Sequence, residues 1–172
     1  MKYILETERL RLREFTYDDC DFIIELLNSP GWLQFIGDRN VRNREQAQHY
    51  LENGPFKSYR VNGYGLYMVE KKNGMEEKSA LSIGMCGILN RDTLDCPDIG
   101  FALLPDFGGM GYALEIARAT LVYAKEKLGL QKIAAITLPG NVRSIRLLEK
   151  LGLSFRNKIH SASGDELLLY SN

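Results

Sequence analysis

Leu10 and Leu12 interleave with Arg9, Arg11 and Arg13, and this alternation with a period of two predicts a first strand with one buried face. The period then lengthens. Thr16 stands as an N-cap before the acidic Tyr17-Asp18-Asp19, and Phe22, Ile23, Leu26 and Leu27 make a helical stripe that Ser29-Pro30-Gly31 stops. Residues 32–42 read as irregular or briefly helical, after which Asn43 caps a helix carrying Ala47, Tyr50 and Leu51 and ending near Asn53-Gly54-Pro55. Strands over 65–70 and 82–89, joined by a polar stretch at 71–78, and a third over 98–104 after a turn at 90–97 predict an antiparallel meander. Leu114, Ala117, Leu121, Ala124 and Leu128 mark the buried stripe of a long helix over 112–128, closed by Gly129. A short strand over 132–138, a turn at Pro139-Gly140-Asn141 and a helix marked by Ile145, Leu148 and Leu151 and ending at Gly152 follow. Strands near 154–159 and 166–170 complete the pattern.

With 172 residues, 45% of them hydrophobic, and no repeat or low-complexity tract, the chain is expected to form a single globular domain. Lysine plus arginine equals aspartate plus glutamate at 22 each, which gives no electrostatic footprint for direct nucleic-acid binding. The opening Met1-Lys2-Tyr3-Ile4-Leu5-Glu6 has no apolar signal core, and no apolar run is long enough to span a bilayer, so a cytoplasmic protein without membrane partners is expected. Cys20, Cys86 and Cys96 are odd in number and lack metal-ligand spacing, which suits a reducing compartment. His49 and His160 are isolated, and no metal site is expected.

The most informative segment runs from the strand at 98–104 through Pro105-Asp106-Phe107-Gly108-Gly109-Met110-Gly111 into the helix beginning Tyr112-Ala113. Glycines permit backbone angles closed to other residues and leave N–H groups pointing into one concavity at the positive end of a helix dipole, a cradle suited to phosphate. A mere tight strand-to-helix connection is the alternative. A Walker-type loop would need Gly-Lys followed by Ser or Thr, and a dinucleotide fingerprint would need glycine where Leu114 stands; neither is present, which argues against ATP and NAD.

Three separated segments resemble the GNAT superfamily of acetyl-coenzyme-A-dependent N-acetyltransferases, and within it the RimJ/RimL-like branch of ribosomal-protein alanine N-acetyltransferases. They are Glu6-Thr7-Glu8-Arg9-Leu10-Arg11-Leu12-Arg13, Asp98-Ile99-Gly100-Phe101 through Gly109-Met110-Gly111-Tyr112-Ala113, and Asn141-Val142-Arg143-Ser144 through Glu149-Lys150-Leu151-Gly152. The superfamily often carries Gln or Arg three residues before the glycine matching Gly111, whereas this chain has Gly108. The resemblance implies an α/β (α+β) fold, with a mixed, largely antiparallel twisted sheet of about seven strands, helices on both faces and a splayed strand pair holding the cofactor. It implies acetyl-CoA as cofactor, its pantetheine arm along Phe101, Ala102 and Leu103, its pyrophosphate on the amides of Gly109, Met110, Gly111, Tyr112 and Ala113, and Gly108 among the cofactor-binding residues. Asn141 reaches the pantetheine in this reading, and Arg143 or Arg146 meets the adenosine phosphates.

Acetyl transfer to an amine needs an unprotonated nucleophile, a stabilised oxyanion and a proton for the departing thiolate. An α-amine with a pKa of about 8 is partly neutral near pH 7, whereas lysine at about 10.4 is not, so the demand for a base depends on the acceptor. Asp98 matches a position where family members often carry an acid suited to a water-relayed base; a solvated turn carboxylate is the alternative. Ser144 matches a serine near the cofactor sulfur and reads as an orienting donor, and a strand amide within 101–103 would meet the oxyanion. Cys86 has no histidine near it in sequence, which argues against a covalent acyl-enzyme. Trp32, Phe35, Tyr50 and Tyr67 are candidate acceptor-lining residues, and core packing would explain each equally well. The acceptor is an amine, either a protein N-terminus as the branch implies or a small molecule such as a polyamine, amino acid or antibiotic; a non-catalytic acyl-CoA sensor is the other alternative, and a monomer or homodimer suits all three.

Overall fold

The computed structural model describes residues 2–73 and 80–172. Its sheet begins with an element the periodicity does not mark. β1 (Tyr3–Glu6) carries three consecutive half-buried apolar residues without alternation and is held by antiparallel pairing with β2 (Leu10–Arg13) and by Arg11, whose guanidinium lies 4.2 Å from the centre of the Tyr3 ring. β2 itself differs from the predicted one-faced strand, because all four of its residues are buried. Leu10 and Leu12 enter one apolar cluster, while Arg11 and Arg13 turn to the opposite face and meet Glu70 of β3 (Leu66–Lys71).

Thr16 leads into a short 3₁₀ turn, with its N–H donating to Asp19 Oδ2 at 2.8 Å, and α1 (Cys20–Leu27) follows. Ser29-Pro30 ends that helix and starts the next, since proline suits a first helical turn that needs no N–H donor there; α2 is Pro30–Phe35. Asn43 caps α3 (Arg44–Leu51), its side chain accepting from Gln46 N at 2.9 Å. The predicted stop at Asn53-Gly54-Pro55 does not occur. Glu52–Phe56 forms a wide π-helical turn that places Pro55 inside a continuous helical path, and α4 (Lys57–Asn62) runs on to Gly63, whose φ of 76° ends it.

The meander at β3, β4 (Leu81–Leu89) and β5 (Asp98–Leu103) is antiparallel as expected, with a bulge opposite Val69 and Glu70. Of the polar connection at 71–78, residues 74–78 lie outside the described residues. α5 (Tyr112–Glu126), β6 (Ala134–Thr137), α6 (Val142–Lys150), β7 (Ser154–His160) and β8 (Glu166–Ser171) complete the order. The buried stripe of α5 is Ile116, Ala117, Thr120 and Ala124, rotated from the predicted one so that Leu114 is only half-buried. Among the described residues the sheet has eight strands, one more than expected, in the order β1-β2-β3-β4-β5-β6-β8-β7. One face packs on α5 and α6 through Val69, Cys86 and Ile99; the other packs on α1, α2 and α3 through Met68, Met85 and Ala102.

Candidate active site

β5 and β6 are parallel neighbours that meet at a single register position, Asp98 opposite Ala134, where Ala134 N also donates to the Pro97 carbonyl at 2.9 Å. Beyond that point β6 pairs only with β8 and β5 only with β4, so the facing edges diverge. The gap opens into a cleft of about 2230 Å³, larger than a typical drug-sized pocket. Its walls are β5 and 135–138, with the glycine turn and the start of α6 at one end and α2, α3 and α4 on the side opposite α6.

At the glycine turn, Gly109 and Gly111 have φ of 75° and 79°, which only glycine adopts without strain. Among the described residues the backbone N–H groups of Gly109, Met110, Gly111, Tyr112, Ala113 and Leu114 donate to no protein acceptor. Six consecutive free donors at the start of a 15-residue helix make an anion cradle, and their fit to a diphosphate follows from their number and the helix dipole. The turn is held from behind. Arg9 Nε donates to Glu115 Oε2 at 2.6 Å and its Nη1 to the Met110 carbonyl at 3.0 Å, with its guanidinium 4.5 Å from the Tyr112 ring centre. Thr7 Oγ1 donates to Glu115 Oε1 at 2.6 Å, and although burial opposes it, the Thr7 and Arg9 donors hold the Glu115 carboxyl below its ordinary range. Sequence reasoning missed this latch, whose members lie more than a hundred positions apart.

Phe101, Ala102, Leu103, Gly108, Gly109, Gly111, Tyr112, Ala113, Asn141, Arg143, Ser144 and Arg146 all line the cleft. Met110 is not among the lining residues: its side chain is exposed, and it serves the turn through its backbone, with its carbonyl accepting from Arg9 and its N–H in the cradle. Asn141 caps α6, its Oδ1 accepting from Ser144 N at 3.2 Å, and this leaves the Ser144 hydroxyl without a protein partner among the described residues. Asp98 sits at the vertex of the gap, 1% exposed, on the face it shares with Met85 and Ala102. Arg91 Nε donates to both of its oxygens at 3.1 and 3.0 Å. Burial raises the Asp98 carboxyl above its ordinary value, and Arg91 restrains the rise.

Trp32, Phe35 and Tyr50 line the α2 and α3 side of the cleft. Burial raises the Tyr50 phenol, with Arg39 and Arg91 near enough to pull against it. The Trp32 indole N–H is buried without a partner among the described residues. Tyr67 does not join them. It pairs with Cys86 on the α5 face, stacks on Tyr59 at 5.4 Å and is 2% exposed, because its neighbour in the strand, Leu66, takes the cleft side of the pleat. Cys86 is fully buried on that same face against Thr120 Oγ1 at 3.4 Å, its thiol pushed up to about 12 by burial, so it is neither ionised nor in the cleft. Among the described residues no three His, Cys, Asp or Glu side chains could hold a metal, and no helix is long and apolar enough to cross a membrane.

A strand pair open beyond one register position, with an anion cradle at its end, is the frame of a family the chain matches over residues 9–154, described as an acetyltransferase (GNAT) domain. The chain belongs to the GNAT acetyltransferases. It is an enzyme of acetyl transfer that uses acetyl-CoA. It is 30% identical over 160 residues to the uncharacterized protein YkkB of Bacillus subtilis (strain 168), covering 90% of this chain and 87% of the relative. Its fold is similar to that of an acetyltransferase from Agrobacterium tumefaciens str. C58, with a TM-score of 0.81 at 23% identity over 100% of this chain and 94% of that one. It is also similar to RimL, a ribosomal L7/L12 alpha-N-protein acetyltransferase solved in complex with coenzyme A, with a TM-score of 0.82 at 14% identity over 99% and 97% of the two chains.

Proposed function

We propose that this GNAT domain, spanning residues 1–172, acetylates the α-amine of a protein N-terminus in the cytoplasm by direct attack within the cleft. The observation that carries the reading is the run of six free N–H donors at 109–114 beside the unpaired edge of β5. Bound acetyl-CoA supplies a thioester activated toward amines. The turn holds the diphosphate by backbone donors, and a strand amide within 101–103 meets the acetyl oxygen without reorganising. Asn141 orients the pantetheine, and Arg146 meets the adenosine phosphates. Ser144 orients the sulfur through its free hydroxyl. Asp98, buried at the vertex, accepts the amine proton through water; an α-amine partly neutral near pH 7 asks little more of a carboxylate. Trp32, Phe35 and Tyr50 form the acceptor wall. The fold shared with RimL is compatible with this acceptor class, and the fold shared with a spermidine N-acetyltransferase chimera keeps a small amine as the second reading.

Two measurements test the reading. Acetyl-CoA is expected to raise the melting temperature while ATP and NAD do not, and free thiol is expected to appear with alanine-starting peptides faster than with polyamines, free amino acids or aminoglycosides. Preference for a small amine would reassign the acceptor, and cofactor binding without turnover on any amine would make the protein a sensor.

A further inference from the structure

Two guanidinium groups approach the glycine turn, and their circumstances are opposite. Arg9 comes from behind with its charge engaged by Glu115 and its donors shared with the Met110 carbonyl. Arg143, in the first turn of α6, comes from across the cleft, and among the described residues no carboxylate, carbonyl or hydroxyl accepts from it. A Cβ built on Gly108 would lie 3.6 Å from Arg143 Nη1. The turn does not require glycine there: Gly108 has φ of −73° and ψ of 151°, extended backbone that any residue adopts, and its added Cβ would meet the Pro105 carbonyl at 3.4 Å, an ordinary contact. A side chain at 108 would thus begin in van der Waals contact with a cation from the opposite wall. The N–H groups of 109–114, without a protein acceptor among the described residues, follow Gly108 directly along the chain, and Arg143 and the turn line the same cleft.

We propose that Arg143 is the side-chain anchor of the cofactor's diphosphate, its guanidinium passing over Gly108 to face the same anion as the turn's N–H groups. This rests on the acetyl-CoA reading of the cleft and divides the work among three arginines. Arg9 positions the turn, Arg143 supplies the formal charge that backbone donors lack, and Arg146, one helical turn further along α6, is left for the adenosine end. Because the turn and α6 stand on opposite sides of the gap, an anion held by both ties them together.

Calorimetric titration of Arg143→Ala and Arg143→Gln with CoA, 3′-dephospho-CoA and pantetheine separates the possibilities. Loss of charge-assisted hydrogen bonds predicts a Kd raised about ten- to a hundredfold for both CoA and 3′-dephospho-CoA, with pantetheine binding unchanged. A loss confined to CoA would place Arg143 on the 3′-phosphate, and an equal loss for pantetheine would make its role structural; either result overturns the proposal, as does unchanged affinity for CoA. Recovery of CoA affinity by Gly108→Arg in the Arg143→Ala background would support the shared location, with the melting temperature of the unliganded variants showing that the fold is intact. Absence of CoA binding by the wild-type protein would instead overturn the cofactor reading itself.

Discussion

Between β2 and β3 four consecutive register pairs join the strands, from Leu10 opposite Lys71 to Arg13 opposite Met68, whereas between β5 and β6 there is one. The closed pair carries buried charge that is fully answered. Glu70 accepts from Arg11 Nε at 2.8 Å and Arg13 Nε at 2.6 Å, and Arg13 reaches both oxygens of Asp19 at 2.8 Å. The cleft at the open pair carries the reverse: among the described residues six N–H groups, the Trp32 indole N–H and the Arg143 guanidinium have no protein acceptor. Gly109, Met110, Gly111 and Arg143 are exposed, so water completes their groups until a ligand takes its place, whereas the buried indole N–H is the one whose missing partner carries a cost. The frame is specified by satisfied polarity, and the site by polarity left open.

The largest effect is expected on the closed side. Glu70→Ala leaves two buried arginines short of a partner and should lower stability by about 3–5 kcal/mol, read by urea denaturation. Burial pulls the Arg13 guanidinium down, but Asp19 and Glu70 outweigh it and hold it above its ordinary value, so its partners are what make its burial tolerable. Acetyl-CoA affinity, measured on the fraction still folded, should be unchanged. A loss under about 1 kcal/mol would mean that these charges behave as surface pairs do and would erase the contrast.

Legibility follows the same division. The helices at 112–128 and 142–150 and the meander are readable because periodicity and glycine stops are local, and so is the glycine turn, whose φ values bear out the need for Gly109 and Gly111. The arginine network is not readable: period two distinguishes two faces but does not say that the polar one is covered, and Glu70 lies 57 and 59 positions from the arginines it meets. Pro55 inside a helical path needs a π turn that no local residue announces. Within the site, the lining residues from β5 and α6 were legible from their motifs, but Tyr67 was misplaced by one step of strand parity, and Arg9 with Glu115 and Arg143 over Gly108 are contacts only tertiary structure makes.

Asp98 stands between the two regimes, buried like Glu70 but with one cation for company. As a water-relayed base its replacement by Asn should lower kcat about a hundredfold with little change in KM for acetyl-CoA. The pH dependence has a definite sign. Burial raises the carboxyl, so the acid limb of kcat/KM should lie above the ordinary carboxylate range; Arg91 favours the ionised form, so Arg91→Ala should move that limb to still higher pH. The same raised value means that ionisation works against folding. Stability should fall as pH rises from the unfolded carboxylate value through the folded one, and Asp98→Asn should remove that fall. An acid limb unmoved by Arg91→Ala would return Asp98 to the frame as a structural carboxylate.

The smallest effect expected is at Asn141, where satisfied and open polarity share one side chain. Its Oδ1 is spent on Ser144 N, while its amide N–H groups face the cleft unpaired among the described residues. Asn141→Ala should cost about 1 kcal/mol of stability through the lost cap and also weaken cofactor binding. Asn141→Asp keeps the capping oxygen and removes the donor, so it should retain the stability and lose the binding. Acetyl-pantetheine, which lacks the phosphates, is the donor for this comparison, because an added carboxylate would otherwise repel them. Wild-type KM for acetyl-pantetheine in Asn141→Asp would assign the residue wholly to the frame.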